Sequence, residues 1–387
     1  MKKTVFFLVA ILALVGLFAP FTEVAEAEGF APVKAKSACL IDKRTGELLY
    51  GQQENTEFPI ASMVKIMTAL LTFEEIEKGN LSFDEKITVS DTAAGMGGSQ
   101  MFLDRGLEYP VTDLLKGVIV VSANDACVAL AERIAGSEEV FVDKMNARAK
   151  DLKMQRTVFV NATGLPKEGG HSTAYDVALM LRELTKHERY YDYSKIWLED
   201  YVHPDGRVTT LTNTNKFVRF YEECDGGKTG FTSEAKFCLA ASATRGDTKL
   251  ISVVIGAEDG KTRFAESKRL LCYGFASYKT EVIVKKGDAV FACPIKGGSV
   301  KEVKAYSGED VTVLRKMGAA PEDAEVKTVF YNVKAPVKTG DEVGECTVTE
   351  GGKTYAVKLY AAEDAKKAGI GDLFRKISSE WNSRRCA

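Results

Sequence analysis

Three short polar motifs stand in order along the chain, each in or just before an apolar stretch. Ser62-Met63-Val64-Lys65 comes first, Ser122-Ala123-Asn124 second and Lys228-Thr229-Gly230 third. None is specific alone, because the chain also holds a second Ser-x-x-Lys (Ser233 to Lys236) and a second Lys-Thr-Gly (Lys338 to Gly340). Context separates the two sets. Ser62 follows Pro59-Ile60-Ala61 and precedes Ile66, Met67, Leu70, Leu71 and Ile76, the apolar face of a buried helix opened by a proline-bearing turn. Ser233 precedes Phe237-Cys238-Leu239-Ala240-Ala241, which reads as a buried strand. Lys338 lies in Val337-Lys338-Thr339-Gly340-Asp341-Glu342-Val343, a polar hairpin loop.

The chemistry of the first set is coherent. In the first turn of a helix, unpaired N–H groups and the positive dipole end favour developing negative charge at Ser62. Lys65 falls on the same helix face, within reach of the serine hydroxyl. A hydroxyl is a poor nucleophile until a base takes its proton, and a desolvated lysine beside other cations can be that base. A helix N-cap serine followed by a surface lysine is the plainer alternative. Ser122 and Asn124 stand between the apolar residues Leu114, Leu115 and Val118–Val121 and the apolar residues Ala126, Val128–Leu130 and Ile134, and buried polar side chains are costly unless paired or used. Ser122 can relay a proton to a leaving group, and Asn124 can bond a substrate amide and Lys65; a pair satisfied by backbone groups is the alternative. Lys228-Thr229-Gly230 precedes the apolar runs Phe237–Ala243 and Leu250–Gly256, so adjacent strands are expected, with the motif on the first. A strand edge offers backbone groups to an extended peptide. Lys228 and Thr229 can hold a carboxylate, and Gly230 leaves room for close approach.

In this context the chain resembles the low-molecular-weight penicillin-binding proteins, and within them the serine-type D-alanyl-D-alanine carboxypeptidases of peptidase family S11. The resemblance spans roughly residues 36–275. It includes Ile60–Thr68, Gly98–Leu103, Val121–Leu130, Asn161-Ala162-Thr163-Gly164-Leu165, His171–Asp176 and Asn213-Thr214-Asn215. It implies Ser62 as the acyl-ester nucleophile, Lys65 as its proton acceptor and Ser122 as the third catalytic side chain. It further implies Lys228, Thr229 and Arg263 at the substrate carboxylate, and an oxyanion hole of the Ser62 and Phe231 N–H groups. Two positions depart from the common pattern: Phe231, where some members carry histidine or another polar residue, and Ala123, where glycine is common. The implied fold is α+β: a serine β-lactamase/transpeptidase-like catalytic domain at 30–275, with helices Ser62–Lys78 and Val111–Ala135 beside an antiparallel sheet. The implied substrate is the D-Ala-D-Ala stem peptide of peptidoglycan, and β-lactams would acylate the same serine. A class A-like β-lactamase is a rival reading, but the stretch Val158-Phe159-Val160-Asn161 lacks the deacylating glutamate such enzymes need. A non-catalytic penicillin-binding wall sensor or scaffold is another, and it sits poorly with intact Ser62, Lys65 and Lys228.

The termini add a topology. Lys2-Lys3, an apolar run from Val5 to Phe18 and Ala25-Glu26-Ala27 read as a secretory signal over 1–27; an uncleaved anchor is the alternative. After Tyr278, short β-like runs between Gly, Pro and charged turns suggest a small all-β domain at 280–362. In the tail, 366–387, Ile370, Leu373, Phe374, Ile377 and Trp381 fall on one helical face, and six Lys or Arg exceed Asp372 and Glu380 by four charges. That pattern suits an amphipathic helix on an anionic membrane surface, placing an exported protein at the extracytoplasmic face; a helix docked on the β domain is the alternative. The net charge of −2 gives no reason to expect nucleic acid. Eight scattered cysteines without Cys-x-x-Cys spacing suggest buried free thiols, and the three histidines form no zinc motif, so no metal or cofactor is expected. His171 reads as a local structural partner near the cleft.

Overall fold

The architecture follows from strands that are apolar on both faces. In the computed structural model, which describes residues 30–288, 291–318, 325–350 and 353–372, five strands form one antiparallel sheet. They are β1 (Ser37–Asp42), β2 (Leu48–Gln52), β3 (Cys224–Thr232), β4 (Lys236–Arg245) and β5 (Thr248–Ala257), in the order β2-β1-β5-β4-β3. Side chains alternate across a strand. Cys39, Ile41, Ile251, Val253 and Ile255 accordingly join one core, while Ala38, Leu40, Leu250 and Val254 join a second on the other face.

The first core holds the helices that carry the motifs. They are α1 (Lys65–Glu77), α2 (Asn124–Ala135) and α3 (Ala174–Leu184), of which α3 packs on β1 and β5. The other face is covered by α4 (Gly260–Ser277), where Leu270 and Leu271 enter the second core. A buried polar crossing between α4 and the sheet is satisfied within itself, Ser252 Oγ lying 2.6 Å from Ser267 Oγ. A sheet buried on both faces exposes its backbone only at its edges, and β3, carrying Lys228-Thr229-Gly230, is one of them.

The expected single helix Val111–Ala135 is a correction. The chain forms a helix over Val111–Lys116, widens into a π segment over Gly117–Val121 and breaks at Ser122, which adopts φ +66°. The α-helix resumes only at Asn124. Both pieces send apolar side chains into the same core, so hydrophobic pattern alone does not reveal the break.

Directly after α4 the chain enters a second, all-β unit with its own core, built from a two-stranded sheet and a five-stranded sheet. It meets the first unit through Arg44, whose guanidinium donates to Thr312 Oγ1 at 3.0 Å and lies 3.5 Å from Asp310. The Lys338-Thr339-Gly340 motif lies in a turn of this unit, where Thr339 donates through N–H and hydroxyl to Asp364 at 2.8 and 2.9 Å. Of the tail helix, Leu373, Phe374, Ile377 and Trp381 lie outside the described residues.

Candidate active site

Ser62 sits in a 3₁₀ turn, Ala61–Val64, that leads into α1, rather than in the first α turn as its sequence context suggests. The preceding Ala61 has φ +48°, and the Met63 N–H donates to the Ile60 carbonyl at 3.2 Å, which tightens the turn. Lys65 still reaches back along the same side. Its Nζ lies 3.0 Å from Ser62 Oγ and 2.5 Å from the Thr163 carbonyl oxygen. Lys65 is 1% exposed, and burial pushes its ammonium down to about 8. A neutral amine has two N–H donors and one lone pair. A carbonyl can only accept, so Thr163 fixes an N–H and leaves the lone pair free to turn to the serine proton.

The Thr163 carbonyl is itself held. Asn161 Oδ1 accepts from the N–H groups of Thr163 and Gly164 at 3.2 and 2.6 Å, and its Nδ2 donates to the Leu165 carbonyl at 2.8 Å. The turn presses against the serine. Gly164 has φ +77°, and a Cβ there would fall 2.0 Å from the Ala61 carbonyl oxygen and 3.0 Å from the Ser62 nitrogen. Sequence reasoning noted the block Asn161–Leu165 without giving it a job. Its signal was an Asn-x-x-Gly in a loop, which is ambiguous until the loop is seen to face the lysine.

The break at Ser122 supplies the second wall. Ser122 Oγ and Asn124 Oδ1 are buried and have no hydrogen-bond partner among the described residues. Leaving such atoms unpaired costs about 1–3 kcal/mol each, which a substrate can recover. Backbone groups thus satisfy only one end of the Asn124 amide, its Nδ2, and leave these two oxygens unpaired. Asn124 Nδ2 donates to the Gly97 carbonyl at 2.7 Å, and the neighbouring Asp125 carboxylate accepts the N–H groups of Met101 and Leu103 at 3.2 and 3.0 Å. The 97–103 loop is thereby tied to the start of α2.

Edge strand β3 closes the third side. Gly230 lets it approach the Ser62 turn, since a Cβ there would fall 2.7 Å from the Ile60 carbonyl oxygen. Lys228 is buried, and its ammonium is pushed well below the usual lysine range, by burial first and by the charge of Lys65 next. Thr229 Oγ1 donates to Thr214 Oγ1 at 2.8 Å. Arg263 Nη1 donates to the Gly230 and Cys238 carbonyls at 3.1 and 3.3 Å, so its charge sits on the same stretch of strand. Phe231 is 53% exposed, its ring centre 4.4 Å from that of Phe237. Ser233 lies in the β3–β4 turn and Lys236 on the exposed start of β4, away from any helix. His171 bonds locally, its Nδ1 lying 2.9 Å from the Gly169 carbonyl.

Residues 22–259 match the D-alanyl-D-alanine carboxypeptidase family, peptidase S11. The chain belongs to this family. Residues 278–367 match the C-terminal domain of penicillin-binding protein 5. The D-alanyl-D-alanine carboxypeptidase DacF of Bacillus subtilis is 40% identical over 351 residues, 90% of each chain. DacC of Escherichia coli, of the same description, is 35% identical over 372 residues, 92% of this chain and 91% of its own. Among solved structures, penicillin-binding protein 6B of Escherichia coli is 30% identical with a TM-score of 0.66, covering 86% of this chain and 96% of its own. A peptidoglycan synthesis regulatory factor of Streptococcus pneumoniae, PBP3, is 26% identical with a TM-score of 0.73, covering 87% of this chain and 100% of its own. The S11 chain described here is accordingly a serine-type D-alanyl-D-alanine carboxypeptidase.

The Asn161 turn generates a prediction. Asn161→Ala frees the Thr163 carbonyl and should slow covalent labelling by fluorescent penicillin about ten- to a hundredfold, the range expected for a misplaced base. Asn161→Asp keeps the acceptor oxygen and should recover most of that loss. Equal rates for wild type and Asn161→Ala in stopped-flow labelling would separate the turn from the lysine.

Proposed function

We propose that this carboxypeptidase removes the terminal D-alanine of peptidoglycan stem peptides through an acyl-enzyme on Ser62. The observation that carries this reading is the Ser62–Lys65–Thr163 arrangement, a serine oxygen 3.0 Å from a buried lysine amine that a carbonyl holds in place. The edge of β3 offers the substrate a strand to lie against, with its terminal carboxylate at Lys228 and Thr229 and Arg263 bracing that segment. Ser62 Oγ attacks the carbonyl of the penultimate D-alanine as its proton passes to Lys65 Nζ. The oxyanion forms between the N–H groups of Ser62 and Phe231. Ser122, whose hydroxyl has no protein partner among the described residues, passes a proton to the departing amine of D-alanine. Water then cleaves the ester, with Lys65 again as base. A β-lactam reacts at the same serine. Cys127, close to both lysines, stays a thiol, since burial raises it to about 12.

The reading extends to location. A secretory signal over 1–27 and the basic amphipathic tail support an exported enzyme resting on the outer face of the cell membrane. The chain remains tied to the β unit as far as Ala368, where Ala368 N donates to the Gly297 carbonyl at 2.9 Å, and Ile370 just beyond is 76% exposed. Among the described residues no helix is long and apolar enough to cross a membrane.

Two experiments test the proposal. Ser62→Ala should abolish D-alanine release from diacetyl-Lys-D-Ala-D-Ala, on the order of a thousandfold loss or more, along with penicillin labelling, while Ser233→Ala leaves both intact. Labelling that persists in Ser62→Ala contradicts the assignment. Truncation after Gly369 should release the protein from anionic vesicles without changing hydrolysis of the soluble peptide. Salt should weaken full-length binding only in part, because the apolar contribution is not screened. A full-length protein that ignores vesicles would favour a helix docked on the β unit.

A further inference from the structure

Resting on the reading of Lys65 as the base, we infer that Thr68 is a positioning residue for it: the Thr68 hydroxyl holds the turn whose carbonyl aims the Lys65 amine. Thr68 stands three residues after Lys65 on α1, so the two side chains leave the helix on one face. They meet consecutive carbonyls of a single loop. Lys65 Nζ lies 2.5 Å from the Thr163 carbonyl oxygen, and Thr68 Oγ1 donates to the Ala162 carbonyl at 2.7 Å. Both threonine and carbonyl are buried.

The loop depends on such contacts. From Phe159 to Leu165 it makes no backbone–backbone hydrogen bond among the described residues. Side chains hold it instead, and because peptide planes are rigid they can be followed one by one. Glu138, at the start of the helix Glu138–Asp151, accepts the Ala162 N–H at 2.9 Å. The next plane carries the Ala162 carbonyl and the Thr163 N–H. Thr68 holds its one end and Asn161 Oδ1 the other, at 2.7 and 3.2 Å. The plane after that carries the Thr163 carbonyl, and Asn161 Oδ1 accepts its Gly164 N–H. Thr68 thus ties this series of planes to the helix that bears the base. Without its hydroxyl the buried Ala162 carbonyl has no partner and must turn to water. Water beside the loop hydrates Lys65 and offsets burial, the largest cause of its weak hold on the proton. The titratable groups that face Lys65 are Asp125 and Cys127 of α2 and Lys228 of β3, and a change at Thr68 leaves all three in place.

Thr68→Val removes the hydroxyl and keeps the shape. The second-order rate constant for acylation by benzylpenicillin, followed from pH 6 to 10, should fall about tenfold at pH 7.5. Its inflection should move up by about one pH unit from the wild-type value near 8, toward that of an ordinary lysine. Thr68→Ser restores the hydroxyl and should bring the inflection back. A mere loss of folded protein lowers the whole profile without moving it along the pH axis. If Thr68→Val does not fold, Thr68→Ala, which opens room for a water at the Ala162 carbonyl, must raise the inflection as well. An unmoved inflection in the folded variant, or a Thr68→Ser profile that fails to return, overturns the role of Thr68 and leaves Lys65 as the base. A wild-type profile with no inflection near 8 overturns the base reading and the positioning role with it.

Discussion

A lysine without water organises this active site. Lys65 is charged in solution, and its burial between α1 and the Asn161 turn weakens its hold on the proton until the amine titrates near neutral pH, at about 8. One carbonyl, Thr163, and one hydroxyl, Ser62, face it at hydrogen-bond distance. The surroundings protect that arrangement. The Asn161 side chain fixes the carbonyl, Gly164 allows the turn to touch the serine backbone, and Gly230 lets β3 close the other side. Lys228 is dry as well, and the charge of Lys65 adds to burial in lowering its hold on a proton.

The fold supplies the dryness. A sheet covered on both faces by helices leaves β3 as an edge, with its outer backbone available to an extended peptide and its inner neighbours rigid. The helix interrupted at Ser122 has the complementary task. A continuous helix would spend its polar groups on itself, whereas the break leaves Ser122 Oγ and Asn124 Oδ1 buried and without a partner among the described residues. Left-handed backbone at Ser122 and Ala61 marks the two places where regular structure yields to the site.

Much of this was legible in the sequence. The three motifs announced themselves by order and by their apolar settings, and the decoys at Ser233 and Lys338 were separable because neither opens a buried helix nor lies on a core strand. Less legible were features that depend on the third dimension. From Val111 to Ala135 both halves send apolar side chains into one core, so the break at the π segment left no mark on the hydrophobic pattern. Asn161 holds the Thr163 carbonyl that meets Lys65, 98 residues away, and Gly164 lets the same turn touch Ser62, which loop composition cannot show. In the β unit, charged residues obscure the alternation of the strands Glu302–Ser307 and Glu342–Glu350, although Val303, Ala305 and Ser307 are buried in turn.

The central claim is that Lys65 serves as the base because burial has lowered its affinity for a proton. The second-order rate constant for acylation of the wild-type enzyme by benzylpenicillin, measured from pH 6 to 10, tests it directly. With a depressed lysine the active form is the neutral one, so the rate should rise about tenfold per pH unit at the acid end and level off above an inflection near 8. A profile that is flat from pH 6 to 9, or one still climbing through the ordinary lysine value of about 10.4, would contradict the account.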